Sequence, residues 1–257
     1  MLRLRRRCFR AYWRMQQRIA PALRDAQVVY EDRIRTAVES KRRWLDLGCG
    51  HQVLQQWRGE AERALVARAE LIVGLDLEQD SLKKHRSIAR RTRGDLARLP
   101  FADGSFDLLT ANMVMEHLAN PAEQLAEIAR VLRPGGVFVA VTPNRLGYQA
   151  CLARMIPAPL KRLLVKLLQD RASEDLFQTY YRINTAGAIE QAASRAGFAP
   201  IRVEHVMSDA QFAVVPPLAA FELVFIRMLM TSRLRRFRPN LIVHLEKPVY
   251  AAAAQRG

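Results

Sequence analysis

The sequence predicts an α/β fold: a doubly wound, mostly parallel seven-stranded sheet with extra helices. Apolar runs without alternation at residues 44–47, 71–75 and 137–141 are typical of parallel strands that are covered on both faces. Helical patterns separate these runs, as the connections of βαβ units require. The first run ends in Gly48-Cys49-Gly50, and a strand that leads into a tight glycine turn is common in nucleotide-binding folds.

Residues 1–43 predict a basic helical N-terminal extension, and residues 44–257 predict the main domain. The helical assignment rests on apolar residues at helical spacing. These residues are Tyr12, Trp13, Met15, Ile19 and Leu23. The segment lacks the continuous apolar core of a signal peptide, and we favour a basic surface helix over an amphipathic organelle-targeting segment.

The remaining strands follow from shorter apolar segments. The second strand, Leu71–Leu75, is closed by Asp76, and a third, weaker strand is predicted over residues 88–91. A fourth is expected at 106–111, and the last two at 201–204 and 241–245. The sequence therefore contains seven candidate strands.

The best-marked helix is predicted to begin after Asn120, a natural N-cap residue. Pro121 suits the first helical position, and Glu123 stands where a capping-box carboxylate reaches back to the N-cap amide. Pro134-Gly135-Gly136 is expected to end this helix. A further helix is predicted over residues 184–196, ending at Gly197.

Two other segments predict additional helices. Residues 146–182 indicate a helical insertion, which would be placed to cap a site. Residues 214–230 are apolar almost all round, interrupted by Glu222 and Arg227. Pro216, Pro217 and these charges argue against a membrane-spanning helix. We favour a buried helix between the last two strands, with an interfacial helix or a dimer contact as alternatives.

The net charge of +16 is unevenly distributed along the 257 residues. Residues 1–43 carry 13 basic and 4 acidic groups, residues 44–145 carry 13 of each, and residues 146–257 carry 15 and 8. The excess therefore lies outside the central segment. It favours an anionic partner, either membrane lipid or, less so, nucleic acid, unless the abundance of arginine reflects a GC-rich genome.

Cysteine usage indicates a reduced, cytoplasmic protein. Cys8, Cys49 and Cys151 lie far apart in the sequence and form neither a disulfide framework nor a metal-ligand pair. We therefore expect no metal site. The basic flanks extend the expected location to peripheral attachment at the inner face of the membrane.

The central segment carries the candidate binding residues. In Asp46-Leu47-Gly48-Cys49-Gly50, glycine lets the backbone turn sharply and approach a ligand closely. A dinucleotide fingerprint needs a third glycine where Val53 stands, so an NAD site is not expected. Asp76, at the end of the second strand, is placed to accept hydrogen bonds from two ribose hydroxyls. Its alternative role is an N-cap for the next helix.

Further motifs follow in a fixed order, and together they resemble the class I S-adenosylmethionine-dependent methyltransferases. The motifs are Leu45-Asp46-Leu47-Gly48-Cys49-Gly50, Gly74-Leu75-Asp76, Gly94-Asp95 with Leu99-Pro100-Phe101 and Ser105-Phe106-Asp107, Glu116-His117-Leu118, Leu132-Arg133-Pro134-Gly135-Gly136 and Thr142-Pro143-Asn144. The resemblance is to the small-molecule and quinone-type, methyltransferase type 11-like subgroup. It covers residues 44–145 strongly and 185–205 loosely.

The resemblance implies S-adenosyl-L-methionine as cofactor and a Rossmann-like fold. It implies that the loop after the first strand surrounds the methionine part of the cofactor. The loop after the second strand would hold the ribose, and the loop after the third strand would hold the adenine. The sulfonium would lie beyond the fourth strand. The implied residues are, in that order, Asp46, Gly48, Cys49 and Gly50, then Asp76 and Leu77, then Asp95 and Leu96, then Asn112 and Met113. The family usually has a third glycine where this chain has Gln52, so that side chain is expected to narrow the loop.

Methyl transfer from a sulfonium needs mainly alignment and a dry pocket. If the acceptor is a hydroxyl, a base helps, and by analogy His117 is the candidate catalytic residue. Its alternative role is packing at a helix start. An acceptor pocket could be lined by Tyr148, Tyr180, Tyr181 and Arg182.

The sequence thus predicts a methyltransferase that acts on a small-molecule or lipid-linked acceptor, by O-methylation. One alternative is an RNA or protein methyltransferase whose basic flanks bind the substrate. Another is a non-catalytic S-adenosylmethionine-binding protein, which Gln52 suggests. An oxidoreductase is the least favoured class.

Overall fold

In a computed structural model, residues 2–40, 43–155 and 178–249 are described. Seven strands in these ranges form one sheet in the order β3-β2-β1-β4-β5-β7-β6. All neighbours are parallel except β7, which runs antiparallel to β5 and β6. The strands are β1 (Arg43–Leu47), β2 (Leu71–Asp76), β3 (Arg90–Arg93), β4 (Phe106–Asn112), β5 (Leu132–Pro143), β6 (Ile201–Val206) and β7 (Asn240–Glu246). The predicted doubly wound, mostly parallel fold is confirmed.

Eight α-helices lie within the described ranges. They are α1 (Leu2–Ile19), α2 (Ala26–Val38), α3 (Gly59–Val66), α4 (Gln79–Lys83), α5 (Pro121–Val131), α6 (Tyr148–Met155), α7 (Ala186–Arg195) and α8 (Pro216–Leu229). Three short 3₁₀ turns occur at Gln56–Arg58, Met115–His117 and Ser232–Phe237. None of the helices in the described part of the chain is long and apolar enough to cross a membrane.

Both faces of the sheet are covered by helices, which explains why its strands are apolar without alternation. On one face, α5 and α7 pack through Leu125, Ile128 and Ile189. On the other face, α2 packs against the sheet through side chains that are almost fully buried, including Tyr30 and Ile34. Although α2 lies within the predicted N-terminal extension, it therefore contributes directly to the central core.

A third layer is formed by α1, α6 and α8, which we call the α1–α6–α8 layer. Its interior contains Tyr12 of α1, Tyr148 of α6, and Leu223 and Ile226 of α8. Trp13, which was placed on the apolar stripe of α1, is 50% exposed. The segment predicted as helical over residues 1–43 contains two helices, α1 and α2, and the chain turns between them.

The helix predicted over residues 214–230 is present as α8, but it is buried on one face only. Ala219, Leu223 and Ile226 face the layer's interior, whereas Phe221 and Val224 are exposed to solvent. The expectation of a helix buried on all sides is therefore wrong. Of the insertion predicted over residues 146–182, the structure describes α6 and residues 178–182, and residues 156–177 lie outside the described residues.

Some element boundaries differ from the prediction. Strand β3 begins at Arg90 rather than Ile88, because Ile88 is buried in the core before the strand starts. Helix α5 ends at Val131, and residues 132–136 already belong to β5. Asn120 is the N-cap residue, as predicted, but its side chain makes no capping hydrogen bond. The Asn120 amide donates to Gln124 Oε1 at 3.0 Å and not to the Glu123 carboxylate.

The glycine turn after β1 is also not followed immediately by a helix. The chain passes through residues 51–55 and a 3₁₀ turn before α3 begins at Gly59. Glu62 of α3 is fully buried, where it accepts from the Leu54 amide at 2.9 Å and pairs with Arg86. The Arg86 guanidinium also donates to the Leu54 carbonyl at 2.8 Å. This ion pair therefore holds the segment that follows the turn.

Candidate cofactor and acceptor site

A cavity of about 460 Å³ opens where the parallel strands end at their carboxyl termini. Among its lining residues are Gly48, Asp76, Leu77, Asp95, Leu96, Met113, Val114, His117, Leu118, Gln178 and Tyr180. Ligands of open α/β sheets bind at this edge. A cavity of about 530 Å³ between α2 and β5–β7 contains none of the predicted site residues.

The glycine turn forms one wall of the cavity. Gly48 has φ +60°, and a Cβ there would lie 2.5 Å from Val114 Cγ2, so a larger residue cannot be accommodated. Gly50 has φ +53°, a left-handed conformation that glycine adopts without strain. Its amide donates to the Asp76 carboxylate at 2.8 Å. The turn is therefore fixed both by sterics and by a charged hydrogen bond.

Asp76 lines the cavity from the end of β2. Its Oδ2 accepts from Gly50, and its Oδ1 accepts from the Glu78 amide at 2.9 Å. Each carboxylate oxygen can accept a further hydrogen bond. The two backbone amides thus orient the carboxylate and leave it able to bind a ligand hydroxyl. The alternative prediction for Asp76 is wrong, because the N-cap residue of α4 is Glu78 and no side chain caps this helix. The ribose contact of Asp76 remains a prediction.

Asp46 lies beneath the turn and does not line the cavity. The Thr110 hydroxyl donates to its Oδ1 at 2.5 Å, and the Trp44 indole donates to Thr110 at 2.7 Å. Burial, with smaller contributions from the charges of Glu62 and Asp76, raises the pKa of Asp46 to about 7. Cys49 and Gly50 also lie outside the cavity lining. A direct role for these three in binding the methionine part remains a prediction.

Asp95 and Leu96 form the wall opposite the glycine turn. Asp95 is exposed at the rim, and its Oδ1 accepts from the Ala97 amide at 2.9 Å. Leu96 is buried against the core. The loop returns close to β2, since a Cβ on Gly94 would lie 2.9 Å from Leu75 Cδ1. The Asp95 carboxylate could accept a hydrogen bond from the edge of an adenine ring, and the Leu96 side chain could pack against its face.

Met113 and Asn112, at the end of β4, differ in what they contact. Met113 lines the cavity with φ +56°, and its amide donates to the Val141 carbonyl at 2.9 Å. Such a conformation costs on the order of 1–3 kcal/mol in a non-glycine residue, and such strain clusters at functional sites. The Asn112 amide instead pairs with the amide of Gln27 from α2. Sequence reasoning missed Gln27, because its contact with Asn112 joins residues far apart in the chain.

His117 reaches the cavity from the 3₁₀ turn that follows β4. Its Nδ1 lies 2.9 Å from the backbone carbonyl oxygen of Gln178. A carbonyl can only accept, so Nδ1 carries the proton, and Nε2 holds the lone pair in the neutral ring. His117 was predicted to lie near the reacting groups, and in the structure it lines the cavity together with Asp76 and Asp95. Its catalytic role remains a prediction.

Gln178 and Tyr180, from residues 178–182, border the cavity beside His117. The amides of Tyr180 and Tyr181 both donate to the Glu116 carbonyl, at 2.8 and 3.1 Å, and Tyr181 has φ +51°. Tyr180 lines the cavity, and the Arg182 guanidinium lies 5.6 Å from its ring centroid. Tyr148 does not belong here, because its hydroxyl donates to Glu222 within the α1–α6–α8 layer.

Glu116 lies behind His117 and is buried. Its carboxylate accepts from the Thr142 hydroxyl at 3.0 Å, and Asn184 donates to the same hydroxyl at 2.6 Å. Burial raises the pKa of the Glu116 carboxyl. This buried network ties the ends of β4 and β5 to the start of α7, and sequence reasoning assigned it no role.

Gln52 does not narrow the cavity. It is half-buried, its amide donates to the Cys49 carbonyl at 3.3 Å, and it is absent from the cavity lining. The missing third glycine is instead accompanied by the delayed start of α3. In the described residues, no group of three or more histidine, cysteine or acidic side chains is arranged to hold a metal ion.

Comparison with known proteins gives matches to the central segment. A family model described as a methyltransferase domain matches residues 45–140. A Mycolicibacterium smegmatis protein named "Probable S-adenosylmethionine-dependent methyltransferase" is 39% identical over 104 residues, which are 38% of this chain and 40% of that protein. A demethylmenaquinone methyltransferase of Parafrankia sp. is 43% identical over 72 residues, which are 25% of this chain and 28% of that protein.

The fold extends beyond the segment that matches in sequence. The crystal structure of an S-adenosylmethionine-dependent methyltransferase from Mesorhizobium loti superposes with a TM-score of 0.54 and 22% identity, covering 84% of this chain and 95% of that one. By contrast, the sequence matches span less than half the length of the two curated relatives.

Fold and site define a Rossmann-like α/β domain with a cavity at the carboxyl edge of its sheet. Residues 45–140 match the methyltransferase-domain family, and this segment is similar to S-adenosylmethionine-dependent methyltransferases of the type 11 kind, whose cofactor is S-adenosyl-L-methionine.

Proposed function

We propose that this protein transfers a methyl group to the oxygen of a small-molecule or lipid-linked acceptor, with His117 as the base. The observation that carries the proposal is the position of His117, which lines the same cavity as Asp76 and Asp95. A base at that position serves a hydroxyl acceptor, since a hydroxyl must lose its proton as it is methylated.

The residues present fit the cofactor. The Asp76 carboxylate is oriented by two backbone amides and can accept from ribose hydroxyls, and Asp95 can accept from the adenine amino group. Gly48 keeps the wall beside Val114 free of a side chain. When bound, S-adenosylmethionine supplies a methyl group that is activated by its positively charged sulfur.

His117 would act through its Nε2. Because the Gln178 carbonyl holds the proton on Nδ1, the ring is oriented with Nε2 able to accept the acceptor's hydroxyl proton. His117 would hold the proton that the acceptor hydroxyl loses when it takes up the methyl group that bound S-adenosylmethionine would supply. Tyr180 and Leu118 provide apolar surface on this side of the cavity.

Two observations bear on the acceptor class. The name of the Parafrankia relative supports a quinone-type, lipid-linked acceptor for this chain. The apolar side chains of Leu118 and Tyr180 beside His117 fit an aromatic ring carrying a hydroxyl. An RNA or protein acceptor would place its backbone on the basic flanks, outside this cavity.

The decisive experiment incubates the full chain with methyl-labelled cofactor and a fractionated cell extract, comparing wild type with His117→Ala. Label is expected in an apolar, phenol-containing fraction. His117→Ala should lower turnover on the order of a hundredfold, while calorimetry shows nearly unchanged cofactor affinity.

Three outcomes would contradict the proposal. Label in RNA or protein would favour a macromolecular acceptor. Equal turnover of wild type and His117→Ala would return His117 to a packing role. Tight cofactor binding without turnover on any fraction would indicate a non-catalytic binding protein.

A further inference from the structure

The outer face of α8 is an exposed apolar stripe. Phe221, Val224 and Met228 are 77%, 50% and 50% exposed, and Pro217 continues the same spacing. These positions lie opposite the side that packs Leu223 and Ile226 into the layer's interior, so the stripe is a continuous face of the helix. Contiguous apolar surface of this kind marks an interaction site.

Within the described residues of the α1–α6–α8 layer, every charged residue except Glu222 is basic. No Asp or Glu occurs in residues 2–24 or 145–155, and Glu222 is the only one in residues 210–239. Glu222 is buried, where it accepts from the Tyr148 hydroxyl at 2.8 Å and the Phe212 amide at 3.0 Å. In the part of this layer that the structure describes, the exposed charge therefore comes from arginine.

Three exposed arginines follow the apolar stripe in the chain. Arg233, Arg235 and Arg236 occupy the 3₁₀ turn that follows α8, and each is exposed. Arg227 reaches across to the Ile19 carbonyl at the end of α1. An apolar helix face bordered by arginine is the pattern of a helix that lies in the interface of an anionic bilayer.

The position of the layer relates this face to the cavity. Asn240, where β7 begins, is in register with both Pro143 and Val206, so α6 and the chain leading to α8 leave the sheet at its carboxyl edge. The Asp209 amide donates to Asp25 at 3.1 Å, immediately before α2. The α1–α6–α8 layer thus lies at the same edge of the sheet as the cavity.

We propose that the exposed face of α8, with Arg233, Arg235 and Arg236, docks this protein onto the surface of an anionic lipid bilayer. The aromatic and aliphatic side chains enter the interfacial region, and the arginines contact lipid phosphates. Docking would bring the cavity close to a lipid-linked acceptor, a consequence that rests on the proposed function. Docking itself requires neither cofactor nor turnover.

The test is flotation of the full chain with vesicles of phosphatidylcholine alone or mixed with phosphatidylglycerol, at low salt and at 1 M salt. Wild type should float with the anionic vesicles at low salt and much less at 1 M, where the Debye length is about 3 Å. Phe221→Asp should weaken partitioning at least about tenfold, which corresponds to ~1.4 kcal/mol. Arg235→Gln with Arg236→Gln should weaken it at low salt.

Val249→Asp is the matched control. Val249 is 61% exposed and follows β7, at the opposite edge of the sheet, so this variant makes the same charge change away from the docking face. It should float like wild type. Calorimetry with S-adenosylhomocysteine on wild type and on each variant separates the two proposals. If wild type does not bind S-adenosylhomocysteine but still floats with anionic vesicles, the proposed function is wrong and the docking proposal stands.

Several results would overturn the docking proposal. One is recovery of wild type in the unbound fraction under all four conditions, and another is equal loss for Phe221→Asp and Val249→Asp. Light scattering that shows a dimer dissociated by Phe221→Asp, with no vesicle binding, would assign the face to a second copy of the chain. If Phe221→Asp destabilises the fold as much as Ile226→Asp, the face is covered by another part of the chain.

Discussion

The side-chain amides of Gln27 and Asn112 bind each other head to tail. Gln27 Nε2 donates to Asn112 Oδ1 at 3.0 Å, and Asn112 Nδ2 donates to Gln27 Oε1 at 2.9 Å. This pair joins the first turn of α2 to the end of β4, next to the strained backbone of Met113. A residue outside the segment that matches the family therefore fixes the end of the strand that leads into the cavity.

Replacing Gln27 with alanine should lower the free energy of unfolding by about 1 kcal/mol, because the partly buried Asn112 amide loses its partner. Asn112→Ala should have a similar effect, and the double variant should be less destabilised than the sum. Urea denaturation of the three variants measures the coupling. Gln17→Ala, at an exposed position of α1, serves as control, and additive effects would show that the pair is not energetically coupled.

Asp76→Ala should weaken binding of S-adenosylhomocysteine at least about tenfold, as measured by calorimetry. A hydrogen bond to a charged group contributes roughly 1.5–3 kcal/mol, and ~1.4 kcal/mol is a tenfold change in affinity. The variant also releases the Gly50 amide, which adds to the loss. Asp80→Ala removes an exposed carboxylate from α4 and should bind like wild type. If Asp76→Ala binds S-adenosylhomocysteine as tightly as wild type does, Asp76 does not contact the ribose.

Arg86→Ala should lower the free energy of unfolding by about 3 kcal/mol, since it leaves the fully buried Glu62 carboxylate without its charged partner. Arg86→Ala combined with Glu62→Gln should recover part of this loss. Chemical denaturation provides the measurement, with Arg68→Ala on the exposed surface as control. A loss no larger than that of the control would mean that the segment after the glycine turn is held by other contacts.

The stability of the protein should depend on pH through Asp46. Burial raises its pKa from 3.8 in the unfolded reference to about 7 in the folded state. The folded state then binds the proton more tightly, so this group's contribution falls as the pH rises from about 4 to 7 and is constant above 7.

Asp46→Asn removes that titration. Relative to wild type, its free energy of unfolding should therefore increase by up to about 1 kcal/mol per pH unit across this window. Urea denaturation at several pH values tests this, and a difference between the two proteins that is independent of pH would show that Asp46 is not protonated in the folded state.

The parts of the fold that the sequence predicted correctly are those with strong local signals. Strands buried on both faces, the glycine turn and the start of α5 at Pro121 all depend on residues close together in the chain. The start of β3 was wrong by two residues because Ile88 is apolar for a tertiary reason, its packing in the core. Likewise, the apolar character of α8 predicted burial, whereas half of its surface faces solvent.

The candidate site was predictable where backbone chemistry restricts the residue type. Gly48, Asp76 and Asp95 follow the ends of strands, and the structure brings all three to one cavity. Gln27 and Gln178 reach the same region from distant parts of the chain, and nothing in their neighbouring residues indicates a contact with Asn112 or His117. Long-range pairs of this kind need the tertiary structure.

The packing of α2 determines where this protein can be shortened. Tyr30, Ile34 and Val38 of α2 pack in the same buried cluster as Trp44 and Ile242. A fragment that begins at residue 44 would therefore expose apolar side chains on one face of the sheet to solvent. Such a fragment is expected in the insoluble pellet after expression, whereas the full chain stays in the supernatant. The segment that matches the family model, residues 45–140, is therefore shorter than the segment that we expect to fold.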